Sequence, residues 1–152
     1  MTPWGKEEKE KWFQEQTIKR SYKKDVVSKI QALKAAFDVN QYGELSLNPD
    51  LYPLYFLKSK NFSPNKKTVL ITGGVHGYET SGVHGALGFL EKVASQYEDR
   101  FNFLCFPCLS PWSYETINRW NPKAIDPNRS FFKNSPAEEC EFSLKALENL
   151  KD

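Results

Sequence analysis

His76-Gly77-Tyr78-Glu79 places one imidazole and one carboxylate three residues apart, directly after the run Val69-Leu70-Ile71-Thr72-Gly73-Gly74. That H-x-x-E spacing suits zinc, which accepts both nitrogen and carboxylate donors and can take both from one tight turn. The same four residues also suit a hydrogen-bonded loop histidine beside a helix-initial glutamate favoured by the helix dipole. The spacing alone does not separate the two.

Further along lie Arg119-Trp120-Asn121 and Asp126-Pro127-Asn128-Arg129-Ser130-Phe131. Guanidinium groups bind carboxylates bidentately, and fixed donors matter most where negative charge develops in a reaction. Arg119 equally suits a surface arginine stacked on Trp120, and Asp126-Pro127-Asn128 equally suits a simple turn. The remaining histidine, His84, follows Glu79 by five positions, about 140° around a helix, and is a poor companion ligand. It reads as a helix-face residue.

The order of these pieces is strand, H-x-x-E, helix, strand, proline-led loop, R-x-N and D-x-N-R-x-F. It resembles the zinc metallocarboxypeptidase family, including its succinylglutamate desuccinylase and aspartoacylase relatives. The resemblance implies that His76 and Glu79 are the first two Zn2+ ligands. It implies that Arg119 polarises the scissile carbonyl and stabilises the oxyanion, and that Asn128 and Arg129 clamp the substrate's terminal carboxylate. The implied substrates are peptides with a free carboxyl terminus or, alternatively, N-acyl amino acids.

The family also supplies a third ligand, a histidine, and a catalytic glutamate well downstream of the N-R pair. The sequence stops at Asp152 and offers neither, so the general base is unassigned. The resemblance therefore covers the amino-terminal half of a catalytic domain, apparently truncated. A different reading of the same departure is a non-catalytic remnant acting as a binding module.

The elements that must position these residues read as a mixed α/β sheet flanked by helices. Val69 to Thr72 is a short β-branched run suited to a central strand covered on both faces. Gly73 and Gly74 permit positive φ at its end, which brings His76 and Glu79 to the carboxyl edge of the sheet. A helix is expected from Thr80 to about Asp99, with Val83, Leu87, Leu90 and Tyr97 on its apolar stripe, crossing over to a parallel strand at Phe101 to Phe106. Gly43 to Leu47 and Tyr52 to Lys58 suit an opening antiparallel pair. Lys6 to Phe37 reads as one helical segment, with Tyr22, Val26, Ile30, Leu33 and Phe37 at three- and four-residue steps. Residues 1–36 are thus expected as a helical segment ahead of a domain at 37–152. A last helix is expected after Ser135, capped by Ser135 and Glu138, with Cys140, Leu144, Leu147 and Lys151 on one stripe. Its apolar face and an open sheet edge would need covering by self-association or by the carboxyl-terminal half.

Composition narrows the rest. The 152 residues are 39% hydrophobic and 14% aromatic, enough for one core. The 21 basic and 19 acidic residues are interspersed, which gives no footprint for nucleic acid or an anionic membrane. No apolar run is long enough to span a bilayer, and Met1 to Glu7 lacks the core of a secretion signal, so a cytoplasmic protein is expected. Cys105, Cys108 and Cys140 are an odd set; Cys105-Phe106-Pro107-Cys108 lies in an apolar run and suits buried thiols better than a redox pair.

Overall fold

In a computed structural model of the chain, which describes residues 3–150, a four-stranded mixed sheet lies between two helical layers. The strands are β1 (Phe37–Glu44), β2 (Pro53–Ser59), β3 (Lys67–Thr72) and β4 (Phe101–Phe106), in the order β1-β2-β4-β3. β1 pairs antiparallel with β2, β2 antiparallel with β4, and β3 parallel with β4 from Lys67↔Phe101 to Thr72↔Phe106. The parallel pair needs a crossover, and α3 (Thr80–Lys92) provides it, starting where the sequence places it.

β4 rather than β3 is the central strand. Alternation sends Phe103 and Cys105 to one face, where they meet Val83, Leu87 and Leu90 of α3, and Leu104 and Phe106 to the other. There they meet Leu147 and Ala146 of α5 (Glu138–Asn149). β3 has a neighbour on one side only, and Leu70 is half exposed, which corrects the expectation of a strand covered on both faces. β4 carries the larger apolar side chains and takes the buried position. Among the described residues no helix is long and apolar enough to cross a membrane.

The amino-terminal region is not one helix. α1 (Lys6–Gln14) buries no residue fully and packs Trp12 and Phe13 on Trp112. The chain then runs irregularly through Thr17, Ile18 and Ser21, residues of lower helix propensity, before a second helical stretch. That stretch is a π-turn at Lys23–Val27, α2 (Ser28–Ala32) and a 3₁₀ turn at Leu33–Ala35. Tyr22, Val26 and Ile30 are fully buried against the same core as the strands, while Phe37 opens β1 instead of closing a helix. Pro111–Thr116, read from sequence as a loop, is a short buried helix, α4, with its proline at the tolerated first position.

At the carboxyl end α5 starts at Glu138, and the Ser135–Glu138 capping box does not form. The Ser135 hydroxyl accepts from the Ala137 amide, and the Glu138 carboxylate is taken by the Ser46 amide and hydroxyl and by Lys123. Lys151 of the expected stripe lies outside the described residues. All three cysteines are free and buried, and burial pushes the Cys105 and Cys108 thiols up to about 12, which suits inert structural thiols.

Because Ile30 shares one core with β4 and α3, Ile30→Ala should lower the stability of the whole unit by about 2–5 kcal/mol. Chemical denaturation followed by both tryptophan fluorescence and far-ultraviolet circular dichroism should show one coincident shift. A separate early transition would mean that the amino-terminal region folds on its own.

Candidate metal centre

The turn after β3 is shaped by two glycines for different reasons. Gly74 takes φ +59°, the left-handed region, whereas Gly77 is needed for space: a Cβ there would lie 1.8 Å from the Ser113 carbonyl carbon. The turn therefore rests directly on the backbone of α4. It is closed by bonds from the Leu109 and Ser110 amides to the Gly73 and Gly74 carbonyls, and from the Tyr78 amide to the Asn118 carbonyl. Gly73, expected to share the positive φ, instead leaves no room for a side chain: a Cβ there would lie 2.6 Å from the Gly82 and Pro107 carbonyl oxygens.

On this turn His76 is 6% exposed and Glu79 is open to solvent. His76 Nδ1 lies 3.1 Å from Glu79 Oε1, and His76 Nε2 lies 2.9 Å from Asp126 Oδ1. Burial alone would raise the Asp126 pKa, but the hydrogen bonds from His76 and Arg119 outweigh it and hold the carboxyl below its ordinary value. An ionised Asp126 requires Nε2 to carry a proton, which in the neutral ring leaves the Nδ1 lone pair facing Glu79. Two lone-pair donors at 3.1 Å repel unless a proton or a cation lies between them. Zinc–nitrogen and zinc–oxygen bonds of roughly 2.0–2.2 Å at a tetrahedral angle set their donors about 3.4 Å apart, so the pair fits a zinc ion closely.

The other predicted residues gather round Asp126. Arg119 donates through Nε and Nη2 to Asp126 Oδ2 at 3.1 and 3.0 Å and through Nη1 to the Tyr78 hydroxyl, and these bonds push its already high pKa further up. It does not stack on Trp120, which packs with Trp4 and Trp12. Arg129 Nε stands 3.7 Å from the same Asp126 oxygen with most of its side chain in solvent. Asp126-Pro127-Asn128 is indeed a turn, a 3₁₀ element in which Asp126 caps the Asn128 amide, and Asn128 is exposed at its tip. Two guanidinium groups thus flank one carboxylate and leave an excess positive charge beside the donor pair.

Asp126 is the residue that reading the sequence quoted but left without a role; the signal available was its place at the head of D-x-N-R. His84 stays outside, as expected. It pairs with the Tyr114 hydroxyl at 3.1 Å and Lys29 at 3.4 Å, and burial and Lys29 lower its pKa. Among the described residues no group of three or more metal-ligating side chains assembles, since Asp126 is engaged on the far side of the imidazole.

The sequence profile described as zinc carboxypeptidase matches residues 46–145. The chain belongs to the zinc carboxypeptidase family. Its fold is shared with a candidate metallopeptidase from Shewanella amazonensis, with a TM-score of 0.68 at 24% identity over 82% of this chain and 48% of that one. A metallo-carboxypeptidase from Burkholderia cenocepacia gives 0.70 at 18% identity, over 82% and 37%. Bovine thrombin-activatable fibrinolysis inhibitor, solved with a tick carboxypeptidase inhibitor, gives 0.66 at 17%, over 92% and 58%. This zinc carboxypeptidase-family chain therefore spans about half the length of the solved structures it matches.

The loop that carries Asp126 is anchored by Asn121, whose amide donates to Glu139 inside the protein at 3.3 Å and whose oxygen accepts from the Lys123 and Ile125 amides. Burial raises Glu139 to about 7, so between its unfolded value and pH 7 the folded chain holds a proton that the unfolded chain has lost. Stability must then fall as pH rises across that window and level off above it. Glu139→Gln, which keeps the acceptor without the charge, should abolish that slope and raise the melting temperature at pH 8 but not at pH 4. An unchanged slope between pH 4.5 and 7 would show that Glu139 is not its source.

Proposed function

We propose that the chain provides the amino-terminal part of a zinc-dependent hydrolytic site, with His76 Nδ1 and the Glu79 carboxylate holding the metal. The lone-pair pair at 3.1 Å with Asp126 behind it carries this reading. A zinc ion held there would supply Lewis-acid chemistry to a hydrolytic reaction. Asp126 fixes the imidazole tautomer and orientation and makes His76 a better donor. Arg119, exposed and tethered beside His76 through Asp126 and Tyr78, is poised to donate to a carbonyl oxygen that gains charge. Asn128 and Arg129, at the exposed tip of the same loop, offer an amide and a fork-shaped cation to a terminal carboxylate. The substrate class these groups suit is a peptide with a free carboxyl terminus.

A second reading has a specific observation behind it. Two metal donors rather than three converge among the described residues, so the isolated chain also suits a zinc- or carboxylate-binding module without turnover.

Zinc per chain, measured by elemental analysis after dialysis against a weak chelator, tests the ligand assignment. His76→Ala should lose the metal, Asp126→Asn should weaken binding about 10–100-fold, and Arg119→Ala should leave it intact while removing any hydrolysis of a carboxyl-terminal peptide. Equal zinc content in the parent chain and His76→Ala would sink the assignment. Zinc retained without hydrolysis under every condition would favour the binding module.

A further inference from the structure

The turn that carries His76 and Glu79 is held by a side chain that lies outside the stretch matched to the family. Arg20 sits in the irregular segment between α1 and the π-turn, 57 residues from Gly77 in sequence. Its guanidinium lies over the Tyr114 ring, 3.7 Å from the centroid. All three nitrogens are used. Nε donates to the Tyr114 carbonyl at 2.5 Å, Nη1 to the Thr80 hydroxyl at 2.6 Å and Nη2 to the Gly77 carbonyl at 2.5 Å.

Gly77 directly follows His76, and Thr80 directly follows Glu79. One planar cation thus bonds to both ends of the donor turn and ties them to the last turn of α4, where a positive charge is favoured. The flanking segment is fastened to the same helix. The Lys19 amide donates to the Glu115 carbonyl and the Tyr22 amide to the Glu115 carboxylate at 2.6 Å, and just past the helix the Asn118 side chain donates through Nδ2 to Gln16 Oε1 at 2.8 Å. Glu115 also accepts from the Tyr52 hydroxyl, so the anchor reaches the residue that leads into β2. A lysine could not replace this arrangement, because an ammonium neither stacks flat on an aromatic ring nor offers three donors in one plane.

We propose that Arg20 is a positioning residue for the donor turn: it sets the separation and aim of His76 and Glu79, making metal affinity depend on the amino-terminal segment. The consequence for metal rests on the zinc reading above, whereas the clamp stands on its own contacts.

The test uses the 152-residue chain with Arg20→Met, Arg20→Lys and the milder Thr80→Val, which removes the Nη1 contact together with the hydroxyl's own bond to the Tyr78 carbonyl, keeps the other two Arg20 bonds and guards against a variant that fails to fold. Amide hydrogen exchange over residues 76–82 is compared with that over β4, and zinc affinity is measured by competition with a chromophoric chelator. Arg20→Met should speed exchange over 76–82 by about tenfold or more while β4 keeps its protection, and should weaken zinc about 10–100-fold, the range for a group supporting a ligand. Arg20→Lys should fall close to Arg20→Met, and Thr80→Val should shift both readouts less in the same direction. Unchanged exchange over 76–82, or loosening shared equally by β4, overturns the clamp. A loosened turn with unchanged zinc affinity overturns the positioning role. If the parent chain binds no zinc, the zinc reading fails while the exchange comparison still decides the clamp.

Discussion

The structure depends on how closely the turn after β3 lies against α4. With a Cβ on Gly77 only 1.8 Å from the Ser113 carbonyl carbon, the two backbones touch with no side chain between them. That contact fixes where His76 and Glu79 stand relative to everything that follows α4, including Arg119 and the Asp126 turn. α4 itself is buried at every residue, and it ends on Ile117 at φ +57°, a left-handed conformation that is costly for a β-branched side chain. The reversal there delivers the Asn118 carbonyl to the Tyr78 amide and Arg119 to Asp126. Strain at one exposed residue is thus offset by bonds that join the two halves of the site.

Asp126 then organises the charges. It accepts from His76 through one oxygen and from Arg119 through the other, with Arg129 nearby and its own Oδ1 also taking the Asn128 amide. A single carboxylate cannot neutralise two guanidinium groups, so the loop stays cationic on its outer side and anionic toward the imidazole. That polarity suits a donor pair needing electron density on one side and an anionic ligand needing positive charge on the other. Removing the carboxylate would leave like charges facing one another and free the imidazole to turn.

Local patterns were legible in the sequence, and long-range ties were not. The β3–turn–α3–β4 unit follows from a β-branched run, two glycines and a helical stripe, all within forty residues; its order is present as read, but the helix ends at Lys92 instead of near Asp99 and Gly74 alone of the two glycines takes a positive φ. Arg119, Asn128 and Arg129 are singled out by their order along the chain, whereas their gathering on one aspartate comes from geometry alone. The centrality of β3 was misjudged because a short apolar run reads alike in an edge strand and a covered one; only β4's heavier side chains decide it. The expected single amino-terminal helix breaks because no apolar stripe runs through Gln16 to Ser21, where Ile18 is exposed and the Lys19 amide, followed by that of Tyr22, bonds to Glu115 instead of within a helix.

The same limit explains why Arg20 has no sequence signature. Its three acceptors are two backbone carbonyls and one hydroxyl, groups that almost any residue or any Ser or Thr would supply, so nothing in the spelling of Gly77, Thr80 or Tyr114 points back to position 20. Metal-ligand motifs are visible because chemistry restricts which side chains can serve. Clamps on backbone atoms are not, because every residue presents a carbonyl. The part of a site that sets its geometry can therefore lie outside the segment by which its family is recognised. Here the recognised span begins at residue 46, and the side chain gripping both ends of the donor turn lies twenty-six positions before it.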